Sequence, residues 1–260
     1  MDETSSGDFV HITTSLLLGE ASAPDYQAII SDIANFEPIH AEPLPDDGSI
    51  IAWKGRAFIA TLEKQPLPRH AYHSIAVSTV FWPEAMTELA RHKAILHLSS
   101  RVPRAELLQG LVDQTLLVRC CMAHLPVRGV LWGAALTKPE WFEFLFARLQ
   151  HTGRLPIPAW IQIQMSWGDG KTIVSTIGMR ELGLMEVECN PSPLAPDPTL
   201  DVVQYFISYL LAEGPVVDDG GSFSLSEDLD AYGEPIRVHH APSFRSGVGA
   251  VYLLDFSWTS

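Results

Sequence analysis

The stretch STVFWPEAMTELARHKAILHLSS, Ser78 to Ser100, carries the chain from helix to strand and sets the reading of what lies on either side. Trp82-Pro83-Glu84 predicts a helix start, because proline in the first turn forfeits no intrahelical hydrogen bond. His92-Lys93 predicts its end, where basic groups meet the negative end of the helix dipole. Ala94 to Leu98 is an apolar run of strand length. The stretch contains no catalytic signature.

Upstream, Val10 to Leu18 is aliphatic and β-branched and is closed by Gly19, which predicts a buried strand. From Pro24-Asp25-Tyr26 the apolar positions Tyr26, Ile29, Ile30 and Ile33 fall on one helical face. Residues 37–48 are polar and proline-bearing and read as a loop. Ser49 to Trp53 and Ala57 to Leu62 then read as strands joined at Lys54-Gly55, a hairpin signal. A helical region starts at His70 and is broken near Pro83.

Downstream, Arg104 to Cys121 predicts a helix with Leu107, Leu108, Leu111, Leu116 and Leu117 on its apolar face. Val127 to Gly133 predicts a strand, and Pro139-Glu140-Trp141 opens a strongly apolar helix. Ala159 to Trp167 alternates as a strand does, and Gly168-Asp169-Gly170 turns it into a strand from Thr172 to Ile177. A helix over Leu200 to Leu211 and strands near Ile236–His240 and Ala250–Phe256 close the chain.

The helix openings at Pro24 and Pro139 stand 115 positions apart. At the same offset Arg56 meets Lys171, Ile59 meets Val174 and Thr61 meets Thr176. Both halves read strand–helix–strand–strand–helix–strand, the order of the ferredoxin-like split βαβ unit. The expected fold is therefore α+β, with two ferredoxin-like (βαββαβ) halves related by internal duplication and packed as one unit. The first half spans 1–102, a connecting helix 103–126, and the second half 127–260.

Composition narrows the function. Of 260 residues 47% are hydrophobic and 18% charged, which supplies a core and excludes global disorder. The formal charge of −14 repels a phosphate backbone, and Arg101 and Arg104, the densest basic pair, are followed by Glu106. Nucleic acid is thus excluded as the expected ligand, and a basic protein partner suits the charge. The three cysteines, Cys120, Cys121 and Cys189, form no disulfide framework, and the N-terminus is acidic where a signal peptide is basic. No run approaches the roughly 20 apolar residues that span a bilayer. The expected location is cytoplasmic, with no membrane contact.

Several constellations resemble sites. Gly168-Asp169-Gly170-Lys171-Thr172 ends like a phosphate-binding loop but lacks the first glycine and the following helix, so it reads as a hairpin turn. His239 and His240 are adjacent on a strand and point to opposite faces; His70 and His73 have no carboxylate at matching spacing. No metal and no cofactor is expected. Cys120-Cys121, at the end of an apolar helix, reads as buried core. Glu186 and Glu188 point the same way along a strand, and paired carboxylates can hold a cation or share a proton, but the expected reading is a solvated strand face with Met185 and Val187 pointing inward. Gly178-Met179-Arg180-Glu181-Leu182-Gly183 has a glycine at each end, so the chain can leave the sheet and re-enter it, with Arg180 and Glu181 on the rim. Of the tryptophans, Trp258 is expected to be exposed, where it can anchor an interface.

A wider pattern joins these pieces: Pro66-Leu67-Pro68, Trp82-Pro83-Glu84-Ala85, His92-Lys93-Ala94, Val130-Leu131-Trp132, Thr176-Ile177-Gly178-Met179, Glu181-Leu182-Gly183-Leu184, Glu186-Val187-Glu188, Tyr209-Leu210-Leu211 and Asp218-Asp219-Gly220. It resembles a bacterial family known as domain of unknown function 4261. The resemblance implies no activity and no catalytic residues.

Two functions follow as expectations. The first is a non-enzymatic protein-binding protein, an immunity protein or adaptor linked to a bacterial toxin or secretion system, with Arg180, Glu181 and Trp258 as binding residues. The alternative is a small-molecule hydrolase with a site between the two halves and His92, His97, Glu181 and Glu186 as catalytic candidates.

Overall fold

The computed structural model describes residues 9–35, 39–44, 48–79, 82–224 and 235–256. The chain divides into two compact units, Met1–Trp160 and Ile161–Ser260. The fold is of the mixed α+β kind, with one sheet in each unit.

The first unit runs β1 (Phe9–Leu18), α1 (Tyr26–Ala34), β2 (Ile39–Leu44), β3 (Gly48–Trp53), β4 (Arg56–Glu63), α2 (Arg69–Ser78), α3 (Ala85–Leu89), β5 (Ala94–Pro103), α4 (Leu107–His124), β6 (Val127–Trp132), β7 (Ala135–Thr137), α5 (Pro139–Thr152) and α6 (Ile157–Trp160). Its strands form one antiparallel sheet in the order β2-β3-β4-β5-β1-β6-β7. Local chemistry explains the elements. The Asp25 carboxylate accepts the Ala28 N–H at 3.1 Å and caps α1. Lys54 and Gly55, both at positive φ, make the tight turn whose twist suits a β-hairpin. Leu16, Leu17 and Leu18 are fully buried because β1 is covered on both faces. Leu17, Tyr72, Ala76, Trp82, Ala85, Leu89 and Ile95 form the cluster that seats α2 and α3.

On the other face α4 packs on β1 and β5. It is held there by Gln114, which accepts the Ser100 hydroxyl at 2.7 Å and donates to the Thr14 hydroxyl at 2.9 Å. One residue back, buried Asp113 pairs with Arg56 at 2.5 Å and Lys54 at 3.6 Å, tying the β3–β4 turn to the helix.

The second unit runs β8 (Gln162–Gly168), β9 (Lys171–Ile177), β10 (Glu186–Ser192), α7 (Pro196–Glu213), β11 (Ser222–Phe223), β12 (Ile236–Pro242) and β13 (Ala250–Asp255). The sheet order is β11-β12-β13-β10-β9-β8, with β10 and β13 parallel and the other neighbours antiparallel. A parallel pair needs a long crossover, and α7 supplies it. That helix buries Val202, Val203, Phe206, Ile207, Leu210 and Leu211, and the Phe206 ring meets Tyr252 edge-on at 5.6 Å.

Two expectations are corrected. The ferredoxin-like halves are not the arrangement found, because a split βαβ unit places its first strand parallel to a neighbour, whereas β1 is antiparallel to both β5 and β6. Nor can the strands at Val10 and Val127 be the central strands of two duplicated halves, since they pair with each other in one sheet. The proline-led starts at Pro24 and Pro139 do open helices. Such signals specify an element locally and say nothing of its partner. The expected boundaries at 102 and 126 differ from the division after Trp160, because α4 packs on β1 and β5, and β6 extends the first sheet. The stretch read as a loop at 37–48 contains β2, and β8 starts at Gln162 because Ile157–Trp160 is a helical turn. Trp258 lies outside the described residues.

Candidate functional site

The two acids expected on a solvated face are buried: Glu186 is 4% exposed and Glu188 1%. They alternate with Val187, which turns to the opposite face of central strand β10 and is fully buried there. Burying a carboxylate in a low dielectric is costly unless donors replace water, and each of these carboxylates is surrounded by donors from one loop.

Glu186 serves the loop after β9. It accepts the Thr176 hydroxyl at 2.7 Å and the backbone N–H groups of Gly178 at 3.0 Å and of Met179 and Arg180 at 3.4 Å. Those groups lead into a single 3-10 turn, Arg180–Leu182, whose end is made by Gly183 at φ 74°. Positive φ there is the glycine role expected from the sequence.

Glu188 serves the loop between β12 and β13. It accepts the Ser243 hydroxyl at 2.5 Å, the Phe244 N–H at 3.2 Å and Arg245 Nε at 3.3 Å. Arg245 also donates to the Thr176 carbonyl at 2.7 Å, which links the two loops through β9. Each carboxylate thus holds the backbone of a residue whose own side chain is exposed, Arg180 in one loop and Phe244, 49% exposed, in the other. The Arg180 guanidinium reaches the Ala250 carbonyl at 3.3 Å and lies 3.1 Å from where a Cβ on Gly249 would stand, so Gly249 leaves room for it.

The other expected residues are placed differently. Glu181 is exposed beside Arg180. Its pKa is raised, first by partial desolvation and then by the Glu186 charge. His92 is buried and bonded through both ring nitrogens to main chain: Nδ1 donates to the Leu89 carbonyl and Nε2 accepts the Leu67 N–H at 2.7 Å. It fastens the segment before α2 to the end of α3, with the Tyr72 ring edge-on at 5.7 Å. His97 lies across from Ser15, with Ser15 Oγ 2.9 Å from Nδ1 and Glu63 3.4 Å from Nε2. Serine, imidazole and carboxylate are in contact there. Ser15, however, sits on a strand paired on both sides, so its backbone is committed to the ladders and supplies no donor pair for an oxyanion. His92 and His97 share no partner and belong to the first unit; Glu181 and Glu186 belong to the second.

All three cysteines are buried, and burial pushes the thiols up, Cys120 to about 11 and Cys189 to about 12. They are core residues, not nucleophiles. Among the described residues no helix is long and apolar enough to cross a membrane, and no three His, Cys, Asp or Glu side chains gather to hold a metal.

Residues 175–249 match the family described as a domain of unknown function (DUF4261). The matched segment contains both carboxylates, both loops they hold, and α7 between them. No curated protein and no solved structure matches the chain.

The sequence pattern pointed to Arg180, Glu181 and Glu186 but missed Ser243, Phe244 and Arg245. The available signal was the run Pro242-Ser243-Phe244-Arg245-Ser246-Gly247, where an aromatic and a base stand in a loop that composition alone would make small and polar.

Proposed function

We propose that the chain is a non-enzymatic protein-binding protein whose second unit presents Arg180, Glu181 and Phe244 to a partner, in the role of an immunity protein or adaptor. The observation that carries this reading is that four donors engage Glu186 and three engage Glu188, all from this unit's own strand β9 and two loops. A general base needs a lone pair facing substrate, and these buried carboxylates turn theirs chiefly to their own loops. What they achieve is rigidity. An aromatic side chain left half in solvent on an ordered loop loses little conformational entropy when a partner covers it, which is how interface anchors gain affinity. Around this rim the net charge of −14 favours a basic partner.

The test is affinity capture with the full chain from lysate of its native host, followed by reconstitution with the purified partner. Phe244→Ala and Arg180→Ala are each expected to weaken the reconstituted complex tenfold or more. Capture of no stoichiometric protein, or binding that is indifferent to both substitutions, overturns the reading.

A further inference from the structure

Beside the loop held by Glu186 is a surface depression of about 510 Å³ with Arg180 on its edge and Leu184, Met185 and Pro215 in its wall. Tyr252 lines it too, although the residue is only 1% exposed. The Tyr252 ring is fixed on both sides, edge-on to Phe206 at 5.6 Å and to His240 at 5.2 Å. His240 is itself held by donating from Nε2 to the Val217 carbonyl at 2.9 Å. Among the described residues the Tyr252 hydroxyl has no hydrogen-bond partner, yet it is not sealed from solvent. A buried tyrosine normally finds an acceptor for its O–H. Here the hydroxyl opens on the depression, so a molecule seated there can supply the acceptor in place of solvent.

We propose that this depression binds a carboxylate carried on an apolar residue, as a peptide chain presents at its C-terminus, with Tyr252 and Arg180 as its donors. The proposal rests on the reading of the second unit as a binding module and names the chemistry of what it takes. A carboxylate accepts from both groups at once, and charge-assisted bonds to a guanidinium are the strong ones. The apolar wall covers the last side chain. Net charge argues against an acidic surface as the source, since a chain at −14 repels it at long range. A single terminal carboxylate on a neutral or basic segment escapes that long-range repulsion and pairs at short range with Arg180, against the opposing local charges of Glu181 and Glu186.

The probe is a mixture of tetrapeptides ending in each apolar amino acid, used as free acids and as C-terminal amides. Binding to the full chain is followed by NMR shifts and titration calorimetry. Free acids should bind and shift resonances of Leu184 and Tyr252, and the amides should bind at least tenfold more weakly. Tyr252→Phe keeps the ring packing and should weaken the acids about tenfold, the worth of one hydrogen bond to a charged group. Arg180→Gln should do the same or more. Equal binding of acids and amides, no binding of either, or indifference to Tyr252→Phe overturns the proposal. Acetate or benzoate binding as tightly as the peptides overturns the peptide source and leaves a small-acid site. Partner capture that needs Phe244 but not Tyr252 refutes this ligand without touching the protein-binding reading.

Discussion

The two units bury charge to different ends. In the first, Asp113 joins Arg56 and Lys54 and so ties helix α4 to a hairpin turn, while Gln114 ties the same helix to two strands. These are bonds between side chains that fix how elements pack. In the second, Glu186 and Glu188 bond chiefly to main-chain N–H groups and hydroxyls of two loops, which fixes the path of the chain at the sheet's rim. The same physical rule, that a buried charge must be met by donors, yields packing in one unit and a presented surface in the other.

The comparison breaks most visibly at Asp113. Asp113→Ala leaves the 9%-exposed Arg56 with a single exposed partner, Glu106, and should cost about 3–5 kcal/mol in denaturant unfolding. The amides of 243–249 should be unaffected. Glu188→Gln should cost about 2–3 kcal/mol, since it leaves Arg245 without its charged partner and turns an N–H₂ toward the Phe244 N–H. Its distinguishing mark is a loop that loosens before the sheet unfolds. If both variants lose stability with the same local signature, the two charges serve one purpose and the contrast is wrong.

Gly183→Val sharpens the picture at the first loop. With φ at 74°, a β-branched residue there should cost roughly 1–3 kcal/mol by equilibrium unfolding. An unchanged midpoint would mean the turn re-forms without the left-handed residue. The smallest effect belongs to Glu181. Folding raises its pKa, so at low pH it is protonated in both states and Glu181→Gln changes nothing. Above the raised pKa the ionised carboxyl carries a penalty, and the variant should be more stable near pH 7 by about a few tenths of a kcal/mol, because the exposed side chain is screened. A variant less stable than the parent near pH 7 contradicts this.

Element types were legible in the sequence where signals are local. Pro139 at the start of α5, Lys54-Gly55 in its hairpin and Gly183 at positive φ all follow from chemistry within a few residues. Pairing was not legible. Nothing in Val127 to Trp132 says that the strand adds to β1 and not to a second sheet, because a half-apolar strand fits either place. At the site, Glu186 and Arg180 stand six positions apart and were within reach of sequence. Glu188 and Arg245 are 57 apart, and only the parallel return of β13 beside β10 brings that loop over the acid. The solvated face looked plausible for Glu186 and Glu188 because period-2 spacing gives direction along a strand but not what covers it.

The central claim, that the buried carboxylates hold the rim residues in place, is tested most directly by native-state hydrogen exchange at the backbone amides of Arg180 and Phe244. Both lie in exposed loops, where amides ordinarily exchange near the unprotected rate. The account predicts protection by about 10³ or more at Gly178, Arg180 and Phe244 in the parent chain, lost at Arg180 in Glu186→Gln and at Phe244 in Glu188→Gln, each without the other. Unprotected exchange at both amides in the parent, or protection that survives both substitutions, would contradict it.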